Sequence, residues 1–340
     1  MKVTVYPNIA GLDGKSNPYI KDFIHALESE GCIVMNKPHK NPLVSLFFKK
    51  RNSDVYILHW IENVPDYKYG FIQAIIAVLY VFSIKMCGKK IVWFLHNKKP
   101  HTNSHFRLKR ALMKMMITNA NVIITHASEG KQYLTQEYPS SADKTFILDH
   151  PTKNRMQQRL TRNTHEPDFD ILIWGKITLY KQIPEFLEFL KEQHIPMKVK
   201  VVGTCSSDTL YNRLWEQKTD FVDIENRNIP FEELSSYIQN SSFVLIPYAS
   251  DSVLSSAILM DSLSFGAKVI GPNVGSFRDY AASTLLKVYT FDDFTQIPDI
   301  IANHADDNIV EEDYIRFLNE NNWAHFAKKL VQLLTIKNTR

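Results

Sequence analysis

Segments typical of buried β-strands alternate with segments typical of helices along almost all of the 340 residues, and this alternation constrains the fold most strongly. The strand segments are nearly continuous apolar runs, as expected for parallel strands that are covered on both faces. Serial βαβ units of this kind predict doubly wound α/β domains. The chain length suits two domains of roughly 150 residues each better than one.

The first half contains six predicted strands and four predicted helices. The strands are expected at 2–6, 32–35, 54–58, 90–95, 121–125 and 144–148, and the helices near 17–30, 70–86, 103–118 and 128–137. A polar stretch with Pro151 and Pro167 follows at 150–170 and lacks apolar periodicity, which is typical of a linker. We therefore expect a Rossmann-like domain over 1–150 and a linker over 151–170.

The strand–helix pattern then restarts. Strands are expected at 171–174, 197–202, 242–246 and 267–270, and helices near 183–194, 207–217, 231–240, 255–265 and 312–335. This predicts a second Rossmann-like domain over 171–311. A helical segment over 312–340 is expected to pack across the domains through apolar residues at helical spacing, namely Ile315, Leu318, Phe326, Leu330 and Leu334. Ligands of doubly wound sheets bind beyond the carboxyl ends of the strands, so a central cleft between facing domains is the expected site.

The two halves carry opposite charge, although the net charge of the whole chain is only +4. Residues 1–165 contain 24 Lys and Arg against 11 Asp and Glu, a balance of +13, and residues 166–340 contain 16 against 25, a balance of −9. Basic clusters at 47–51, 88–90, 97–101 and 107–116 can face nucleic acid, anionic lipid or a phosphorylated substrate, or simply solvent. We expect the two halves to have different partners.

An uncharged, largely apolar run covers residues 69–84. As a helix, these 16 residues would be about 24 Å long, which is shorter than the roughly 30 Å hydrocarbon core of a bilayer. The favoured interpretation is a buried helix between two strands. The alternative is a helix that inserts partly into one face of a membrane.

Cysteine usage and the N-terminus indicate a reduced, cytoplasmic protein. Cys32, Cys87 and Cys205 lie far apart without metal-like spacing. The first residues lack the apolar core of a signal peptide.

Two lysines follow the first strand of the second half. In the stretch ILIWGKITLYKQIPEF (171–186), Gly175, Lys176 and Lys181 lie between strand and helix. In a doubly wound domain this loop lies at the carboxyl edge of the sheet, where two ammonium groups can hold the phosphates of a nucleotide diphosphate. The alternative is a pair of solvated loop lysines. Gly203 ends a later strand, where backbone can come close to a ligand.

Small residues precede the helix expected at 255–265. Ser255 or Ser256 can cap this helix, and its free amides can then receive a phosphate. Serines at such positions are also ordinary helix caps, so the pattern alone leaves both interpretations open.

Several motifs occur together in the order found in one enzyme family. WGKITLYKQ (174–182) is similar to its strand–GR…YKG signature, with Lys176 in place of the usual arginine, and residues 242–270 match its donor-domain pattern. ILHWIENVP (57–65), IVWFLHNKKPH (91–101) and NPYIKDF (17–23) resemble motifs of one subgroup. The chain thus resembles the GT-B glycosyltransferases of the broad retaining type (group 1, family 4-like), related to sucrose synthases and bacterial polysaccharide transferases.

The resemblance implies transfer of a sugar from a nucleotide-sugar donor to an acceptor hydroxyl. It implies that the donor diphosphate lies near Lys176 and Lys181, which would stabilise the leaving nucleoside diphosphate without a metal or other cofactor. The implied donor contacts are Gly175, Gly203, Ser252, Ser255, Ser256 and Ala257. The implied acceptor is a saccharide or lipid-linked saccharide of bacterial surface-polysaccharide assembly, with peripheral contact of the basic first domain with an anionic membrane and no nucleic acid partner.

The chain departs from the family pattern at the sugar-binding carboxylates. The family commonly has two glutamates separated by seven residues, and alignment on SFGAKVI places Asp261 at the second position and Val253 at the first. Asp251 can supply the missing carboxylate if the loop is longer by two residues. Lys268 replaces the usual proline. A turn aspartate and a helix-surface aspartate are the alternatives for Asp251 and Asp261.

In the first half, His96 ends a strand and resembles the family histidine that contacts the donor sugar near the reacting carbon. A core histidine is the alternative. The resemblance implies an acceptor side formed by Gly14, Asn17, His59, Trp60, Asn97 and His101. His96, His101 and His105 do not have the spacing of a standard zinc site. The DFD sequence at 168–170 resembles a metal-binding DxD motif only weakly.

Two other functions use the same architecture. A sugar-nucleotide epimerase or hydrolase would change or release the sugar without an acceptor. A non-catalytic relative would bind the donor without turnover, and Val253 at the position of a family glutamate is the feature that favours this reading.

Overall fold

The computed structural model describes residues 1–9, 18–46, 53–100, 104–158, 167–251 and 253–336. The predicted site residues Gly14, Asn17, His101 and Ser252 lie outside these ranges. The chain divides into two compact units, one of Met1–Asp149 with Trp323–Arg340 and one of His150–Asn322. Each unit contains one six-stranded parallel sheet, which confirms the predicted α/β class with two doubly wound domains.

The strands of both sheets are short. In the first unit they are β1 (Lys2–Tyr6), β2 (Ile33–Val34), β3 (Val55–His59), β4 (Lys90–Leu95), β5 (Val122–Thr125) and β6 (Thr145–Ile147). In the second unit they are β7 (Phe169–Trp174), β8 (Val199–Val202), β9 (Val222–Glu225), β10 (Ser241–Leu245), β11 (Val269–Pro272) and β12 (Val288–Phe291). Among them, the central strands β3, β4, β5, β8 and β11 are almost completely buried.

The helices lie between these strands and after the last of them. They are α1 (Tyr19–Ser29), α2 (Pro42–Ser45), α3 (Gly70–Met86), α4 (Phe106–Asn119), α5 (Ser128–Glu137), α6 (Ile183–Glu192), α7 (Asp208–Glu216), α8 (Phe231–Gln239), α9 (Ala257–Ser264), α10 (Gly275–Ala281), α11 (Ile297–His304), α12 (Glu311–Glu320) and α13 (Trp323–Ile336).

In each sheet, successive strands are added first toward one edge and then toward the other, and the strand order shows where this reversal occurs. The second sheet has the order β9-β8-β7-β10-β11-β12, which is the 3-2-1-4-5-6 order of the Rossmann fold, with the reversal between β7 and β10. The first sheet has the order β2-β1-β3-β4-β5-β6, with the reversal between β1 and β3. Crevices for ligands form beyond the carboxyl ends of the strands at such reversals.

The core of the first unit joins the sheet to the helices at the two ends of its chain. Alternate strand residues such as Val5, Ile57 and Phe94 are fully buried, as are Leu330 and Leu334 of α13. The terminal helix α13 packs on α1, so residues after 322 complete the core that the first 149 residues begin.

Two helix predictions were wrong in part. The single helix expected at 312–335 is interrupted after α12, because Asn321 and Asn322 favour turns over helix interior and the Asn321 carbonyl accepts from the Thr152 amide. Ile315, expected to pack across the domains with the other apolar residues of this segment, is exposed. The helix over 70–86 has the predicted bounds but is buried along one face only.

Candidate functional site

The loops after β7 and β10 meet at the point where the second sheet reverses. The first loop carries Gly175, Lys176 and Lys181, and the second leads to the start of α9. The Ala249 amide donates to the Tyr180 carbonyl at 3.1 Å, which ties the two loops together. The two lysines predicted from the sequence therefore lie at the edge where a doubly wound sheet binds ligands.

Two glycines permit a close approach of backbone at this edge. A methyl group added to Gly203 would lie 1.9 Å from the carbonyl oxygen of Gly175. Gly175 itself has φ +88°, and a methyl group there would lie 2.9 Å from Ile258 Cδ1 of α9 and 3.7 Å from Lys181 Nζ. The loop after β7, the end of β8 and the first turn of α9 thus converge around the Lys181 ammonium group.

Lys181 is a buried cation, with only 4% of its surface exposed. It ends a short 3-10 turn, Leu179–Lys181, and its Nζ lies 5.6 Å from the centroid of the Tyr248 ring. Within the described part of the chain, no carboxylate forms an ion pair with it. Burial and, to a smaller extent, the neighbouring ammonium group of exposed Lys176 together lower the pKa of Lys181 to about 7. The two lysines create positive charge that nothing in these ranges neutralises.

Ser256 caps α9 beside this pair. Its side chain accepts from the Leu259 amide at 3.3 Å, and it also contacts the hydroxyl of buried Tyr248. The Tyr248 ring therefore contacts both Lys181 and the cap of α9. Ala257 is the first residue of that helix, and half-buried Ser255 precedes the cap. An anion held by Lys181 would lie near the positive end of the α9 dipole.

The carboxylates predicted nearby have different surroundings. Asp251 is exposed on the loop before α9, whereas Val253 is almost completely buried. Asp261 is half-buried one turn into α9, and its Oδ1 accepts from Arg155 Nη1 at 3.0 Å. Arg155 also donates to Ser264 and lies over the Phe231 ring. Asp261 thus has a structural partner, and its contact with a sugar stays a prediction.

A polar cavity of about 370 Å³ lies at the same edge of the second sheet, beyond β10, β11 and β12. Tyr248 and Gln182 line it on the side of the lysine loop, and Asn273, Arg278 and Asp292 line it on the other. The Arg278 guanidinium is held by the Asn273 side chain and carbonyl. The sequence patterns did not point to this cavity.

In the first unit, histidines end or follow three neighbouring strands. His59 ends β3, His96 follows β4 and His126 follows β5. The three rings form one cluster, with His59 Nδ1 3.0 Å from His96 Nε2 and with ring centroids of His96 and His126 5.5 Å apart. His126 was missed from the sequence, although VIITH repeats the pattern of YILH and WFLH.

His126 is neutral and fixes one end of the cluster. Its Nδ1 lies 2.8 Å from the Leu148 carbonyl, which can only accept, so Nδ1 carries the proton and Nε2 accepts from the Tyr19 hydroxyl at 3.1 Å. Burial lowers the pKa of His126 to about 4, in agreement with this assignment.

His59 contacts His96 through Nδ1 and is completely buried. Its ring has no exposed surface, stacks on Phe94 at 4.1 Å, and has its pKa lowered well below the ordinary value, first by burial and then by His126. His59 Nε2 is buried without a partner in the described chain. An unpaired acceptor is tolerated better than an unpaired N–H, so the geometry favours a proton on His59 Nδ1 that is donated to His96 Nε2.

Other residues of the first unit surround His96. Trp60 has a left-handed backbone and stacks on the His96 ring at 4.2 Å, and Asn97 is half-buried beside it. His59, predicted to line an acceptor site, is completely buried and contacts His96. The exposed residue His105 precedes α4, and no group of metal-binding residues occurs in the described ranges. In the DFD sequence at 168–170, the Asp170 carboxylate accepts a hydrogen bond from the Lys198 amide of the second unit.

Comparisons with known proteins identify relatives by structure alone. No protein-family model matches this sequence. No curated protein matches it either.

Three solved structures resemble the chain over almost its full length. Alr3699/HepE of Anabaena, in complex with UDP and glucose, has 10% sequence identity and a TM-score of 0.67, covering 98% of this chain and 99% of its own. A glycosyltransferase from Rickettsia africae has 16% identity and a TM-score of 0.63, covering 98% and 97%. The lipopolysaccharide outer core galactosyltransferase WaaB, in its apo form, has 13% identity and a TM-score of 0.66, covering 99% and 100%. These likenesses show that the chain has the GT-B fold.

Proposed function

We propose that the protein is a glycosyltransferase that moves a sugar from a nucleotide-sugar donor to an acceptor hydroxyl. The observation that carries this proposal is Lys181, a buried ammonium group beside Lys176 with no carboxylate partner in the described chain. A donor diphosphate supplies the missing negative charge. The complex of the structural relative HepE with UDP and glucose supports this choice of ligand.

In this proposal the lysine pair holds the diphosphate and stabilises it as it leaves. Negative charge develops on the departing nucleoside diphosphate, and two ammonium groups with the first amides of α9 are fixed in advance to meet it. Gly203 lets the Gly175 carbonyl lie against the end of β8, and Gly175 leaves room for Ile258 of α9, so both glycines hold the lysine loop close to that helix. We propose that the lysines act here as the electrostatic clamp that a metal ion provides in other transferases.

We assign His96 to the donor sugar and Trp60 and Asn97 to the acceptor side. Because His96 Nε2 accepts from His59, the proton of a neutral His96 ring lies on Nδ1, and we propose that this N–H donates to a hydroxyl of the donor sugar. Asp251 is exposed and is the carboxylate that we propose for the sugar, because Asp261 would first have to leave Arg155. These assignments stay predictions for each residue.

The acceptor in this proposal is a lipid-linked saccharide of bacterial surface-polysaccharide assembly, and the enzyme works in the cytoplasm in peripheral contact with the membrane. The apolar and basic character of the first unit supports this choice, because a lipid-linked acceptor is presented at a membrane surface. WaaB, one of the structural relatives, is described as a lipopolysaccharide galactosyltransferase.

One observation favours a second candidate, a protein that binds the donor without turnover. Val253 occupies the position of a family glutamate and is buried, so it offers a donor sugar no hydrogen-bond acceptor. Donor binding with no product on any acceptor, even with Asp251 intact, would favour this candidate over the enzyme.

A thermal-shift panel of UDP-, GDP-, ADP- and dTDP-sugars tests the proposal. We expect one nucleotide class to stabilise the protein, and Lys181→Ala to weaken the best ligand by about 1–3 kcal/mol, the scale of a charged hydrogen bond. Lys198→Ala is the matched control, because exposed Lys198 immediately precedes β8 at the amino edge of the same sheet. Equal losses in both variants, or none in either, would overturn the assignment of the diphosphate.

A further inference from the structure

Helix α3 presents an apolar face to solvent. Its buried face packs through residues such as Ala77, Tyr80 and Val81. Its opposite face carries one exposed charged residue, Lys85, and six large apolar side chains that are 47–88% exposed: Phe71, Ile72, Ile75, Leu79, Phe82 and Met86. Surface helices of globular proteins normally carry polar side chains on the face turned away from the core. This exposed face, which we call the α3 face, is therefore unusual.

The members of the α3 face form one continuous stripe. Five of them follow one another at intervals of four, four, three and four residues, namely Phe71, Ile75, Leu79, Phe82 and Met86. This spacing keeps them on one side of a helix. An apolar groove of about 270 Å³, lined by Leu43, Val44 and Tyr69 among others, continues the stripe at its N-terminal end. Contiguous exposed apolar surface of this kind marks an interaction site.

The surroundings of the α3 face are strongly basic. Between Asp66 and Glu129 the sequence contains ten Lys and Arg residues and no Asp or Glu. Asp66 itself pairs with buried Lys109 at 2.6 Å, so its charge is already neutralised. The neighbouring helix α4 exposes Arg107, Arg110 and Lys114. An apolar stripe flanked by exposed positive charge complements a surface that is apolar inside and anionic at its rim.

The length of the helix decides how it can meet such a surface. Its 17 residues are about 26 Å long. No helix in the described ranges combines the length and hydropathy needed to cross a bilayer. A helix with one buried and one exposed apolar face can lie in the plane of the headgroups with the exposed face among the acyl chains.

We propose that the α3 face docks on an anionic lipid bilayer, with Phe71, Leu79 and Phe82 among the acyl chains and the cations of α4 at the headgroups. A second copy of the chain fits less well, because a two-fold contact would bring two basic regions together without a carboxylate between Asp66 and Glu129 to pair with them. This inference deepens the membrane contact of the proposed function by naming the surface and the lipid charge that it requires.

Co-sedimentation of the full chain with vesicles tests the docking surface without donor or acceptor. We expect the protein to bind vesicles that contain phosphatidylglycerol and to bind phosphatidylcholine vesicles at least tenfold more weakly, since basic residues are attracted to an anionic surface and not to a neutral one. Phe82→Glu should weaken binding to the anionic vesicles by about tenfold or more.

The chain offers a closely matched control. Phe82 is 47% exposed on α3, and Phe221 in the second unit is 46% exposed. Phe221→Glu removes the same side chain at the same exposure, so it should bind vesicles as the unsubstituted chain does. Equal binding of both variants, equal binding to the two lipid compositions, or no binding at all would overturn the proposal. So would loss of self-association as the only effect of Phe82→Glu, measured by sedimentation velocity without lipid.

Cys87 permits a second measurement that leaves the α3 face intact. It is exposed immediately after Met86, whereas Cys32 is buried. In a Cys205→Ser variant, a polarity-sensitive fluorophore on Cys87 should report an apolar environment when anionic vesicles are added. An unchanged spectrum would contradict insertion of α3. Because neither assay contains a nucleotide-sugar, their outcome does not depend on whether the proposed reaction occurs.

Discussion

Two buried lysines of the second unit have opposite surroundings. Lys200, on β8, contacts the carboxylates of Asp223 and Glu225. Burial lowers its pKa, but the hydrogen bonds to Asp223 and Glu225 outweigh burial, so the pKa is raised overall. Lys181 is equally buried, has no carboxylate partner in the described chain, and has a pKa lowered to about 7 by burial and by Lys176. The fold thus pairs one buried lysine with two carboxylates and gives the other no carboxylate partner within the described residues.

This contrast distinguishes a buried lysine that is paired within the fold from one that is not paired with a carboxylate in the described chain. A buried ion without a partner costs stability, and a fold retains it where a ligand supplies the partner. Lys200 is paired within the folded chain, whereas in the proposed function the partner of Lys181 is the donor diphosphate. Substitutions in the loop that buries Lys181, and of Lys181 and Lys200 themselves, can test this difference.

The largest expected effect comes from the contact that brings the Lys181 loop against β8. Gly203→Ala places a methyl group 1.9 Å from the Gly175 carbonyl oxygen, so backbone must move. We expect a loss of about 2–3 kcal/mol in the free energy of unfolding together with weaker nucleotide binding. Gly88→Ala is the control, because it has a left-handed backbone but no atom within 4 Å of the added methyl. A loss no greater than that of the control would show that the glycine contact is not needed.

Replacement of each lysine by methionine should change stability in opposite directions. Lys200→Met removes the partner of two carboxylates and should lower the free energy of unfolding by about 2 kcal/mol. Lys181→Met removes an unneutralised buried charge and should raise it by about 1 kcal/mol. Urea unfolding of the ligand-free variants measures both. A destabilised Lys181→Met would mean that Lys181, like Lys200, is satisfied within the fold.

The gain from Lys181→Met should depend on pH. The pKa of Lys181 is lowered from 10.5 to about 7 on folding, so the unfolded chain binds more protons between these values and stability rises with pH across that window. Below about pH 7 the lysine is charged in both states and the cost of burying it is complete, so the gain is greatest there. The gain should shrink as pH approaches 10.5. Unfolding curves of both proteins at several pH values check this, and a constant difference would contradict the lowered pKa.

Much of the architecture follows from local sequence pattern. Continuous apolar runs predicted every central strand, and Gly175 followed by Lys176 immediately after β7 predicted the position of the lysine loop. The strands β9 and β12 were not predicted, because edge strands contact one neighbour only and their sequences, VDIE and VYTF, are less uniformly apolar. The break at Asn321 involves a hydrogen bond from the amide of Thr152, a residue that is distant in sequence.

The physical state of the site residues could not be predicted in the same way. The sequence identifies Lys181 and Lys200 equally as lysines near strands, and only the fold decides which one receives carboxylates. His59 was predicted to line an acceptor site, and the fold places its completely buried ring against Phe94, its register partner on β4, and against His96. The apolar run of α3 indicated burial, yet only one face finds a partner, because composition does not specify which side of a helix the core occupies.

Calorimetric titration of the best nucleotide-sugar at pH 8, in two buffers of different ionisation enthalpy, tests the central claim most directly. A nucleotide-sugar diphosphate has no group that titrates near neutral pH, so a proton taken up on binding must enter the protein. The account predicts uptake of most of one proton, because Lys181 with a pKa of about 7 is largely neutral at pH 8 and becomes charged beside the diphosphate. It predicts no uptake in Lys181→Met. Binding enthalpies that do not depend on the buffer, or the same uptake in the variant, would contradict it.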